Sequence, residues 1–155
     1  MEYTIQINDL GETEKLARII ADNMESGSVI LLSGDLGAGK TTFTQFLGRS
    51  LGVKRRMSSP TFNIIKTYRG NQTIHHMDCY RLEDSGEDLG FDEYFNGEDI
   101  SIVEWPQFIE DFLPDERLSI HITVADEETR VFSFNSSGTE YTKIMEALAY
   151  DFPSN

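Results

Sequence analysis

The chain has 155 residues, 39% hydrophobic and 26% charged, an ordinary balance for a globular soluble protein with room for one domain, 1–155, and a real core. Its 13 Lys+Arg against 27 Asp+Glu give a net charge of −14, a field that repels polyphosphate backbones and disfavours a dominant RNA or DNA contact unless a local basic patch overrides it. One cysteine, Cys79, excludes an intrachain disulfide, and no apolar run approaches the roughly 18 residues that span a bilayer, so a cytoplasmic protein without membrane contact is expected.

In chain order, Tyr3, Ile5 and Ile7 alternate with polar residues as in a half-buried strand. Asp9 followed by Glu12 is a capping pair, and Leu16, Ile19, Ile20 and Met24 then recur at helical spacing up to Gly27. Thr13, inside that helix, reads by itself as a solvated residue. The apolar run Val29-Ile30-Leu31-Leu32 is a strand, and Phe43, Phe46, Leu47 and Leu51 mark one face of a helix that Gly52 ends.

Between them lies Gly34-Asp35-Leu36-Gly37-Ala38-Gly39-Lys40-Thr41-Thr42, which completes the pattern G-x-x-x-x-G-K-[ST] in the strand-to-helix context that pattern requires. Glycines let successive backbone N–H groups converge on a phosphate at a helix N-terminus. Lys40 supplies a mobile charge to the β- and γ-phosphates, and the Thr41 hydroxyl suits Mg²⁺. The competing reading is a glycine-rich turn that binds nothing.

Lys54-Arg55-Arg56 precede Ser59-Pro60-Thr61-Phe62. On the residues alone this is first a solvated loop, and second a nucleotide-sensing switch with Thr61 near Mg²⁺ or the γ-phosphate. Residues 62–68 and 72–80 form a predicted antiparallel hairpin about Arg69-Gly70-Asn71. Within it, His76 and Asp78 share a strand face that His75 cannot join, too few ligands for a zinc site. Asp78 reads as a carboxylate near a nucleotide metal, or as a structural partner of Arg81.

The acidic stretch 83–99 is anchored by Leu89, Phe91, Tyr94 and Phe95, so short surface helices are expected. Ile100–Val103 then leads into Glu104-Trp105-Pro106. A carboxylate at a strand's carboxyl end faces the phosphate loop, where it holds Mg²⁺ or orients water. Trp105 reads as a core anchor or as a cover beside Glu104. Pro106 opens a short helix through Phe112, and 118–124 with 129–134 make a closing hairpin. Arg130 flanks that turn, and Tyr141, Ile144, Met145 and Leu148 line a last helix.

The ordered set GDLGAGKTTF, SPTF, H-x-D-x-Y-R-L at His76–Leu82 and VEWP at Val103–Pro106 resembles the TsaE (YjeE) family of bacterial P-loop ATPases. The resemblance implies a P-loop NTPase-like three-layer α/β fold with a mixed parallel/antiparallel central sheet. It implies ATP/ADP and Mg²⁺ as ligands, with Lys40 on the phosphates, Thr41 on the metal, and Asp78 and Glu104 as acids for Mg²⁺ binding or hydrolysis. Trp105 matches a functional aromatic and Thr61 the switch threonine, while Thr13 and Arg130 fall near the adenine or phosphates. The implied partner is a TsaD–TsaB complex that modifies tRNA, with tRNA contact indirect. Two other readings share the loop: a small-molecule kinase, and a binding module gated by nucleotide occupancy. A GTPase is disfavoured, because no N-K-x-D motif occurs.

Overall fold

The computed structural model describes residues 1–35, 37–58, 64–83 and 89–153; Leu36 and Thr61, two of the expected nucleotide contacts, lie outside the described residues. The chain runs β1 (Glu2–Ile7), α1 (Leu10–Asp22), β2 (Val29–Gly34), α2 (Lys40–Ser50), β3 (Ile65–Arg69) and β4 (Thr73–Asp78). A 3₁₀ turn (Tyr80–Leu82) and the one-turn helix α3 (Phe91–Tyr94) follow. Then come β5 (Ile100–Glu104), a second 3₁₀ segment (Pro106–Phe112), β6 (Arg117–Val124), β7 (Arg130–Ser137) and α4 (Thr142–Asp151).

The capping pair forms where the sequence places it. Asp9 Oδ1 accepts the Glu12 N–H at 2.8 Å, and Glu12 Oε1 accepts the Asn8 N–H at 2.7 Å, one residue before the cap itself. Two donors at the helix start are satisfied reciprocally, which fixes where α1 leaves β1.

All seven strands join one sheet in the order β1-β7-β6-β2-β5-β4-β3. The inner four, β6-β2-β5-β4, are parallel, while β7 on β6, β1 on β7 and β3 on β4 pair antiparallel. The mixed sheet expected from the sequence is therefore present, but β1 lies at an edge, with β7 and β6 between it and β2. The burial of the strands agrees with their places. Val29–Leu32 is buried on both faces, as a central parallel strand must be, whereas β1 alternates exposed and buried.

Alternate residues of β2 divide the core. Ile30 and Leu32 enter a cluster with Leu16 and Ile20 of α1, Phe43 and Leu47 of α2, and Ile144 and Leu148 of α4. Val29 and Leu31 enter a smaller one with Met77, Phe91, Val103 and Ile109, beneath α3 and the 3₁₀ segments. The described part of the acidic stretch, 89–99, is held here, since Leu89, Tyr94 and Phe95 pack against the second cluster, while 84–88 lie outside the described residues. Burying each such large side chain contributes about 1.5–3 kcal/mol, so both layers fix the central strands in place.

Candidate functional site

The glycine-rich loop leaves the sheet at the carboxyl end of β2. Gly34 has φ +147°, and a Cβ there would stand 2.6 Å from the Ile122 carbonyl oxygen of β6, so the close approach of two strands requires glycine. Ala38 N–H donates to the Asp35 carbonyl at 3.0 Å, and Phe43 N–H donates to the Gly39 carbonyl at 2.9 Å, starting the ladder of α2. Its N-cap, Gly39, offers no side chain to cap it. Lys40 and Thr41 occupy its first two positions, where the helix dipole favours an anion.

Strand register brings the acids to the same edge. Leu32 of β2 pairs with Glu104 of β5, and Glu104 pairs with Asp78 of β4, so the carboxyl ends of three parallel strands stand side by side, about 4.8 Å apart. Ile74 and Ile102 belong to the cluster beneath α1 and α2. Strand alternation therefore turns Asp78 and Glu104 to that same face, where α2 begins.

Glu104 is 4% exposed and His76 1%, and the two meet: His76 Nε2 stands 2.7 Å from Glu104 Oε2. His75, on the opposite face, bonds instead to Asp99 Oδ2 at 2.8 Å and Thr67 Oγ1 at 2.9 Å. The two histidines thus serve different carboxylates, as the alternation of β4 dictates. Asp78 Oδ1 accepts the Tyr80 N–H at 3.1 Å, which turns the chain at the strand's end. Burial, then the charges of Asp78 and Glu104, push the neighbouring Cys79 thiol up to about 12, so it is an inert core group.

Trp105 follows Glu104 with φ +55° and ψ +50°, and among the described residues it alone combines positive φ with a side chain. That backbone swings the indole over the loop. The Lys40 Nζ lies 4.6 Å from its ring centroid, while Tyr80 and Phe108 flank the ring at 5.0 and 6.0 Å. Trp105 is half-buried, so it covers the site and anchors in the smaller core together.

On the other side of the loop lies a cavity of ≈ 430 Å³, within the range of small-molecule sites. Its walls include Thr13, Gly37, Ala38, Gly39, Thr42 and Arg130. Thr13, which reads from sequence alone as solvated, is 6% exposed and bonded through Oγ1 to the Asp9 carbonyl at 3.4 Å. It is buried because α1 packs on α2 beside the loop. Arg130 does not pair with an acid among the described residues. Its Nε donates to the Ala38 carbonyl at 3.1 Å and its Nη1 to the Asp126 carbonyl at 2.8 Å, tying loop to hairpin turn.

Sequence reasoning missed two parts of this geometry. Leu10, Glu127, Glu128 and Phe132 also line the cavity, and nothing in their local pattern marks them. The bond from His76 to Glu104 spans 28 residues; the signal available was only that His76 and Asp78 share a face.

A glycine-rich loop from a central parallel strand into a helix, faced by carboxylates at the ends of the next two strands of a mixed sheet, defines an α/β protein of the P-loop fold. The family model described as threonylcarbamoyl adenosine biosynthesis protein TsaE matches residues 7–132, and the chain belongs to that family. It is 47% identical over 139 residues to the tRNA threonylcarbamoyladenosine biosynthesis protein TsaE of Bacillus subtilis, covering 89% of this chain and 88% of that one. The protein of the same name from Rickettsia felis is 37% identical, with 89% and 82% covered. A crystal structure of Bacillus subtilis YdiB superposes with a TM-score of 0.82 at 38% identity, covering 97% of this chain and 96% of its own.

Proposed function

We propose that this chain is a cytoplasmic, Mg²⁺-dependent ATPase whose turnover supports formation of threonylcarbamoyladenosine in tRNA, working through a partner complex of the TsaD–TsaB type. The observation that carries the reading is the meeting, at one sheet edge and on one face, of a helix N-terminus bearing Lys40 and Thr41 with the in-register carboxylates Glu104 and Asp78. A hydroxyl and two carboxylates are hard oxygen donors, the set that suits Mg²⁺. When bound there, the cation neutralises charge that builds on the phosphoryl oxygens.

The chain's own groups do the rest. Loop amides and the start of α2 hold the β-phosphate, and Lys40 leaves the indole to meet the β- and γ-oxygens. Glu104 or Asp78 orients the attacking water. The cavity lined by Thr13 and Arg130 takes the nucleoside end. The relatives are named for tRNA threonylcarbamoyladenosine biosynthesis, and that role supports the pathway.

Lys40→Ala should weaken ATP binding by about tenfold or more, ~1.4 kcal/mol, in a titration with a fluorescent ATP analogue. Glu104→Ala should keep binding while turnover falls on the order of 10²-fold. Wild-type turnover should rise when the two partner proteins are added; equal rates with and without them sink partner activation. If Glu104→Ala still supports tRNA modification, nucleotide occupancy rather than hydrolysis is what the pathway uses.

A further inference from the structure

We infer that His76 is a positioning residue for Glu104: its Nε2–H holds one carboxylate oxygen so that the other is presented to the metal and water of the loop. The inference rests on the ATPase reading above and assigns a role to a side chain outside its reacting set.

The geometry carries it. His76 Nε2 and Glu104 Oε2 are 2.7 Å apart, and both residues are almost wholly enclosed. A buried carboxylate without a donor is costly, so this bond fixes the rotamer of Glu104 rather than decorating it. Oε1 makes no hydrogen bond to a described residue, which leaves it as the oxygen for a ligand.

The other ring nitrogen fixes the tautomer. His76 Nδ1 is buried and has no partner among the described residues. An N–H at that position would be an orphaned donor, whereas a bare lone pair costs less, so the proton resides on Nε2 and points at Glu104. His76 and Glu104 sit on neighbouring parallel strands, with Glu104 opposite Asp78 two residues along from His76. The bond is therefore diagonal across the ladder, reaching forward along β4 to the carboxyl edge. Such outer partners of a metal-binding carboxylate set its aim, and removing one typically costs about 10–100-fold in metal affinity or turnover.

Two amide substitutions separate positioning from packing. In His76→Gln the side-chain amide nitrogen reaches the place of Nε2 and preserves the donor. In His76→Asn it stops at the place of Nδ1 and does not. His76→Asn should lose about 10–100-fold in kcat and need more Mg²⁺ for nucleotide binding, with KM for ATP changed little; His76→Gln should restore most of both. His76→Leu should match His76→Asn if it folds, and the two amide variants decide the matter if it does not. In the free protein, a long-range ¹H–¹⁵N spectrum of the ring should show Nε2 protonated and Nδ1 bare, and Glu104→Gln should shift that spin system.

His76→Asn indistinguishable from wild type in kcat and Mg²⁺ dependence, while Glu104→Gln is impaired, overturns the inference. So does a ring protonated on Nδ1 alone. If wild type does not hydrolyse ATP, the hydrolysis reading fails separately, and the spectrum with the Mg²⁺ dependence of nucleotide binding still tests the pairing.

Discussion

Trp105 pairs a backbone cost with a contact. A left-handed conformation costs a side-chain-bearing residue about 1–2 kcal/mol, and here it turns the indole onto the Lys40 ammonium at 4.6 Å. Cation–π attraction of about 0.5–2 kcal/mol offsets that cost. On the proposed ATPase reading, a bound nucleotide draws Lys40 off the ring. Because Trp105 is the only tryptophan, its emission should change when Mg-ATP is added. Lys40→Ala should already differ from wild type without nucleotide and respond little to it. Identical emission in all four samples would show that Lys40 does not rest on the indole. At this scale the sequence was legible wherever a residue's neighbours along the chain define its place: Lys40 and Thr41 open α2 and Glu104 ends β5, as the pattern predicts. It was illegible for Thr13, whose burial depends on α1 packing against α2, and for His76, whose partner is on another strand.

Elements are held by a few close approaches. Gly27, in the turn before β2, has φ +83°, and a Cβ there would stand 2.5 Å from the Gly97 carbonyl oxygen; its N–H donates to the Glu98 carbonyl at 3.1 Å. This contact docks the start of β2 to the approach of β5, the two strands whose register sets Glu104 beside the loop. Gly27→Ala combines a strained backbone with a backbone clash, so a loss above ~2 kcal/mol is expected, which lowers the melting temperature by roughly 4–8 °C for a chain of this size. A melting curve that overlays wild type would refute the contact. Turn chemistry made both hairpins readable, and continuous or alternating hydrophobicity separated β2 from β1. Sheet order was not readable, because a period of two reports which face is buried and not which strand lies alongside. The β6–β7 hairpin, paired to β2 through β6, carries β1 to the edge.

Over the whole molecule, a net charge of −14 makes acidic groups sensitive to pH, in two opposite directions. The hydrogen bond from His75 holds the Asp99 carboxyl below its ordinary value, and backbone N–H groups of Thr129 and Glu128 do the same for Asp126. A lowered folded value means stability that is present above the unfolded value of about 3.9 and lost as pH falls through the folded one. Glu140 behaves in reverse. Partial burial, then the charges of Glu116 and Glu25, raise its carboxyl, so its contribution is present below the unfolded value of about 4.3 and disappears as pH rises through the folded value. Stability should therefore pass through a maximum on the acidic side of neutrality. Glu140→Gln isolates one limb. The variant carries no charge to repel Glu116 and Glu25, so at pH 7 it should unfold at higher urea than wild type. The advantage should shrink as pH falls and vanish below about 4, where wild-type Glu140 is protonated in both states. An advantage that is constant from pH 7 to 4 would mean that packing, not charge, is what the substitution changes.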